Sequence, residues 1–204
     1  IAWNIDENGN VDYDYLITGC SSIAKSLECA IAICQVLGKE AYEIEWKIAH
    51  SNLVAALESS PNFFDLKKDR SRFSMDSYYP ILGGIKSEKK ISMLVENIKK
   101  SFWIDGLGIK CVSDEPWITV AETCECSIAF KKIGEIEFAK ELLANAIAIV
   151  DKNNIPNMGW QYHENIYWPD ETPSWTSAAC ILAADANNKL TEAHDLFTTK
   201  QFKS

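Results

Sequence analysis

Three carboxylates stand where this sequence changes from polar loop to apolar helix: Asp76 in SMDSYY, and Glu122 and Glu125 in WITVAETCE. Glu122 and Glu125 are three residues apart, so a helix carries both on one face, and no Lys or Arg follows at helical spacing before Lys131 and Lys132. A buried carboxylate without a cation has its pKa pushed upward, which is the property of a general acid. The alternative is that each glutamate bonds to loop amides and only holds the loops together. Asp76 would be a second carboxylate at a helix start, or simply the cap of a short helix. Two carboxyl groups about 5 to 9.5 Å apart divide acid, base and nucleophile roles in glycoside cleavage. Catalytic candidates are therefore Glu122, Asp76 and Glu125.

Aromatic residues crowd the same stretches. Residues 103–117 and 155–175 hold Trp103, Trp117, Trp160, Trp168 and Trp175, five of the chain's seven Trp, among acids, Gly and Pro. Long irregular segments of this kind usually carry function. Tyr78, Tyr79, Trp117, Trp160, Tyr162, Trp168 and Trp175 are candidate substrate-binding residues, with Asp105, Asp114, Glu164, Asp170 and Glu171 as acceptors. Flat aromatic faces beside acids suit sugars, although the same rings could pack loops or line an isoprenoid pocket. His163 could be a metal ligand or a base, but a lone loop histidine is more often a surface group. Cys124 and Cys126 point about 200° apart on a helix and cannot share one metal. No metal or cofactor is expected, and the Ser elbow, Walker loop and GxGxxG are all missing.

Helices must position these residues. Residues 21–37, with Ser21 or Ser22 as cap and Gly38 as stop, are apolar almost all round and predict a buried helix. Residues 40–58 carry Tyr42, Trp46, Ala49, Leu53 and Leu57 on one stripe and predict a half-exposed one. The alternation repeats. Residues 74–84, 118–133 and 174–187 are inner segments; residues 87–102 and 135–150 are amphipathic outer ones. The period of about 40 to 57 residues suits a helical hairpin plus a functional loop. This predicts an all-α chain of the (α/α)6 toroid type, an incomplete ring of about 3.5 hairpins in a single domain over residues 1–204. A shorter solenoid is the competing reading. The opening Trp3-Asn4-Ile5-Asp6 reads as the continuation of upstream sequence.

Composition limits the partners. The 204 residues are 47% hydrophobic and 24% charged, with a net charge of −9 and no basic cluster, so neither nucleic acid nor an anionic membrane is expected as a partner. The apolar run around Ile128–Phe130 is far short of a membrane span. Seven cysteines, most inside apolar patterns, favour a reducing, cytoplasmic setting. An uncovered ring edge would favour a homodimer.

The runs TGCSSIAKSLECAIA, RSRFSMDSYYPILGG, GLGIKCVSDEPWITVAETCECSIA and YWPDETPSWTSAACILAADA, in that order, are similar to the C-terminal two-thirds of a bacterial family. Its members carry the labels prenyltransferase-like or six-hairpin glycosidase-like. The resemblance implies an α/α toroid, a fold shared by terpenoid cyclases, protein prenyltransferases, glucoamylase-like hydrolases and polysaccharide lyases. The chain departs from the prenyl branches: it has no DDxxD or DxDD motif and no Asp, Cys and His set with zinc spacing. The first expectation is therefore a carbohydrate-active hydrolase with Glu122 and Asp76 as its carboxylate pair. A prenyltransferase-like or cyclase-like enzyme and a non-catalytic binding module remain the alternatives.

Overall fold

The computed structural model describes residues 2, 4–59, 63–67 and 69–203. Trp3 lies outside the described residues. Seven α-helices carry the described fold: α1 (Ile17–Leu37), α2 (Glu40–Ser59), α3 (Met75–Leu82), α4 (Glu88–Asn97, continued by a π turn Ile98–Phe102), α5 (Val120–Lys132), α6 (Ile136–Ile147) and α7 (Ser174–Asn188). The chain is helix-rich but not purely helical. Three small antiparallel sheets stand between the helices: β1 (Asn4–Ile5) with β2 (Val11–Asp12), β3 (Trp103–Ile104) with β4 (Gly108–Ile109), and β5 (Trp117–Thr119) with β6 (Gly159–Gln161) and β7 (Ile166–Tyr167). Strands of two or three residues are too short to show a period of two, so nothing in the hydrophobic pattern announces them.

The helices pack in the order that the alternation of burial predicts. α1 lies against α2 and α3, α3 against α4 and α5, and α5 against α6 and α7. The inner set α1, α3, α5, α7 thus forms a continuous arc, with α2, α4 and α6 behind it. Inner and outer roles follow from composition: α5 buries nine of its residues from Val120 to Phe130, whereas α4 has none fully buried. α1 begins four residues earlier than the serines suggested. Ser21 does not cap it; its hydroxyl donates back to the Ile17 carbonyl from within the helix. Gly38 ends the helix in the left-handed conformation, its N–H donating to the Cys34 carbonyl.

α1 also corrects the sequence estimate of apolar runs. It is 21 residues long, an 18-residue stretch of it has mean hydropathy 1.4, and by length and composition it could cross a bilayer. Here its Lys25 and Glu28 form a buried ion pair, and Ala24 and Ile31 are fully buried in the interior. Packing on α2 and α3 covers it only in part, with 39% of that stretch buried, so the expectation of a buried helix over residues 21–37 holds for one side of it. Ile33, Val36 and Leu37 remain exposed at its C-terminal end.

The inner helices run parallel where the contacts fix their direction. At one end, the Ser74 N–H donates to the Cys111 carbonyl, Phe73 bridges Val112, Lys110 bridges Ile118, and the Val120 N–H donates to Met158, whose own N–H donates to Glu171. These bonds join the starts of α3, α5 and α7 into one rim. At the other end, the Lys132 ammonium donates to the Leu82 carbonyl and Lys131 to the Asn187 carbonyl. Two cores result, one on each face of α5. Cys126, Ala129 and Phe130 belong to the first with Tyr78, Ile81 and Phe102; Val120, Cys124 and Ile128 belong to the second with Ala179 and Ala183.

Candidate active site

The rim gathers the three candidate carboxylates at the starts of α3 and α5, in two different settings. Glu125 is clamped by neighbouring tyrosines of α3: the Tyr78 hydroxyl donates to its Oε2 at 2.8 Å, and the Tyr79 hydroxyl to its Oε1 at 3.1 Å. Burial pushes the Glu125 carboxyl up to about 7, with the Glu122 charge adding to the rise and the tyrosine bonds opposing it. The same burial and the two glutamates hold both phenols far above their ordinary range. Tyr78 is wholly buried, so its ring offers no face to a ligand; its hydroxyl positions Glu125 instead.

Glu122 lies one turn nearer the rim and is partly exposed. It faces the Cys111 thiol, which burial and the Glu122 carboxylate together push up to about 12. Cys111 had no role in the sequence reading. Its partner is set by the loop bond from its own N–H to the Trp117 carbonyl, which brings the loop against the first turn of α5.

Asp76 is held by a cation. Arg70 Nε lies 3.3 Å from its Oδ2 and 3.8 Å from Asp65 Oδ1, and the guanidinium stacks on the Phe73 ring at 4.6 Å. Burial lifts the Asp76 carboxyl to about 6; Arg70 pulls it back and Asp65 pushes with burial. Arg70 stands six residues before Asp76 in RSRFSMD, a spacing with no meaning until the turn is folded.

Strand register sorts the aromatic candidates. Trp117 pairs with Gln161, and Ile118 with Trp160. Opposed residues share a sheet face and successive ones alternate, so Trp117 and Trp160 point to opposite sides. On the Trp117 side a groove of about 620 Å³ is lined by Arg72, Cys111, Trp117, Gln161, Glu164 and Trp168 among others. Trp117 and Trp168 meet edge to face at 5.2 Å, and the Trp117 indole N–H donates to the Trp168 carbonyl. Gly159 makes this possible: a Cβ there would sit 2.5 Å from Trp117 Nε1 and from the Ile118 carbonyl. Trp160 packs on Tyr167 at 5.0 Å on the other side, Tyr162 on His163 at 4.8 Å, and Trp175 stands exposed at the start of α7. Those three do not line the groove. Among the described residues no three His, Cys, Asp or Glu side chains gather as a metal site.

Beneath the rim, Tyr79 and Glu125 line a second cavity of about 320 Å³ between α1, α3, α5 and α7, with Ser22, Lys25 and Leu182. Glu125 thus borders the inner cavity. Cys111, which Glu122 faces, lines the aromatic groove.

The chain is 36% identical over 197 residues to the protein named MMP endo-(1,4)-3-O-methyl-alpha-D-mannosidase of Mycolicibacterium hassiacum, a match covering 97% of this chain. It covers 53% of the relative, so the chain spans about half the length of the curated protein it matches. No protein-family model matches the chain.

Proposed function

We propose that the protein is a glycoside hydrolase acting on an O-methylated α-mannoside chain, with Glu122 as general acid and Asp76 as base or nucleophile. The observation that carries this reading is the Tyr78–Glu125 hydrogen bond. It sets the parallel helices α3 and α5 in register, and Asp76 and Glu122 are each a partial or full turn closer to the same rim. A sugar seated there would meet carboxyls from two helices, as glycoside cleavage through an oxocarbenium-like transition state needs. Glu125, held between two phenols, stands one helical turn from Glu122 on the same helix and is the carboxyl whose pKa burial lifts to about 7.

Cys111, which Glu122 faces, lines the groove, and Glu125 lines the cavity. A chain cut internally must leave sugars on both sides, and Trp117 with Trp168 supplies apolar faces that suit O-methyl groups. The name of the relative, a glycosidase cleaving within a methylated mannoside, supports the same substrate class. The arc α1–α3–α5–α7 with its outer helices is read as part of an (α/α)6 toroid, in which such rims host the chemistry.

The test is incubation with a 3-O-methylmannose oligosaccharide and mass spectrometry of the products. The protein should release shorter oligosaccharides, and Glu122→Gln and Asp76→Asn should each lose that activity while remaining folded. No cleavage by the unaltered protein, or turnover unchanged in both variants, would sink the assignment.

A further inference from the structure

The end of the molecule opposite the rim holds a further pocket that glycoside cleavage does not use. It has a volume of about 480 Å³ and lies between α2, the middle of α1, the ends of α3 and α5, and the C-terminal segment. That segment is bound along α1: the Lys25 ammonium donates to the Thr199 carbonyl, the Gln201 N–H to Glu28, and Gln35 exchanges two bonds with Lys203. It brings Lys200 and Phe202 over the pocket mouth, with the Phe202 ring 5.4 Å from the His50 ring.

Positive charge collects here against the trend of the whole chain. With 29 acids to 20 Lys and Arg overall, a random patch should be acidic. The pocket is instead lined by Lys86, Lys132, Lys200 and His50, with Glu28 and Glu58 as its carboxylates. Both carboxylates are already engaged, Glu28 by Lys25 and the Gln201 N–H, and Glu58 by the N–H groups of Lys86 and Ser87. Lys86 and Lys132 meet no carboxylate in an ion pair among the described residues. Lys132 is mostly buried; burial and the charge of Lys25 push its ammonium down to about 8. Among the described residues, His50 Nε2 is buried with no hydrogen-bond partner. Burial depresses the His50 imidazole, and Lys200, Lys86 and Lys25 all add to that effect while Glu28 opposes it.

Like charges drawn together around a cavity cost stability that a bound anion would offset. Lysines approaching from separate elements act as point charges, the usual lysine mode for a phosphate group. Val54, Ala55 and Ile85 give the remaining wall an apolar face beside Ser51, and the volume is many times the roughly 30 Å³ share of one water. We propose that this pocket binds a small phosphate-bearing molecule, its oxyanion between Lys86, Lys132, Lys200 and His50 and its organic part against Val54, Ala55 and Ile85.

Phenyl phosphate is the probe, titrated into the full chain at low salt and followed by calorimetry and by the methyl resonances of Val54 and Ile85. Saturable binding is expected, weaker with inorganic phosphate and absent with phenol. Lys86→Ala, a surface change, should weaken binding about fivefold, as should Lys132→Met. Glu122→Gln, at the opposite end, should leave it unchanged, so this outcome is separate from that of the glycosidase test. Absence of saturation by phenyl phosphate, equal binding of phenol, or an unchanged affinity in Lys86→Ala would overturn the proposal.

Discussion

The two helix starts at the rim raise a carboxyl by the same means and stabilise it by opposite ones. At α3, burial lifts Asp76 to about 6 and a guanidinium shared with Asp65 answers it. At α5, burial lifts Glu125 to about 7 and only neutral phenols answer it. A cation favours the charged form and fixes the carboxylate as an acceptor. Phenol donors fix the position of a carboxyl while imposing much less on its proton. The α3 site is therefore built to stay ionised near neutrality, and the α5 site to sit where a proton can be held or given up.

The largest effect should come from breaking the α5 side at its exposed member. Glu122→Gln should lower turnover on the methylated oligosaccharide by about 10²- to 10⁴-fold, with the Michaelis constant little changed. A loss confined to the Michaelis constant would mean that Glu122 only binds substrate.

Next in size, Arg70→Met should strip Asp76 and Asp65 of their cation and cost about 3 kcal/mol in chemical denaturation. It should also raise the Asp76 pKa beyond about 6, read by carboxyl resonances. An unmoved pKa would show that the guanidinium pair is dispensable to Asp76.

The pH dependence of stability sharpens the contrast. Glu125 is raised from an ordinary 4.5 to about 7, so the folded state holds its proton more tightly than the unfolded chain. Its contribution is fully present below pH 4.5 and is lost as pH rises through 7, a swing on the order of 3 kcal/mol. Glu125→Gln should flatten the stability curve over that window; a curve of unchanged slope would place the titration elsewhere. The smallest effect belongs to the groove. Trp168→Ala should weaken oligosaccharide binding by roughly fivefold, from the loss of one aromatic face.

Much of the helical frame could be read from the residues. Every segment expected to be an inner helix contains a helix, though α1 and α7 keep large apolar side chains exposed, and Gly38 and Gly134 mark ends in the left-handed backbone that glycine tolerates. What could not be read depends on contacts across the sequence. Nothing local tells that Tyr78 and Tyr79 will clamp a glutamate 46 or 47 residues away, or that Arg70 folds back on Asp76. The Trp-rich loops announced themselves by composition, but their division into two faces required the register of β5 on β6. Ser21 misled because a serine before an apolar run and a serine inside a helix present the same letters; only the hydroxyl's bond to Ile17 distinguishes them.

Cys124 and Cys126, separated by one residue, look into different cores on opposite faces of α5. That makes α5 the shared wall of the molecule, and neither half of the interior can open without exposing it. Its backbone amides should be the last to exchange with solvent deuterium, while the short rim strands, with few bonds to break, exchange early. Glu122 and Glu125 thus ride on the helix expected to exchange last, and Trp117 on a strand expected to exchange early.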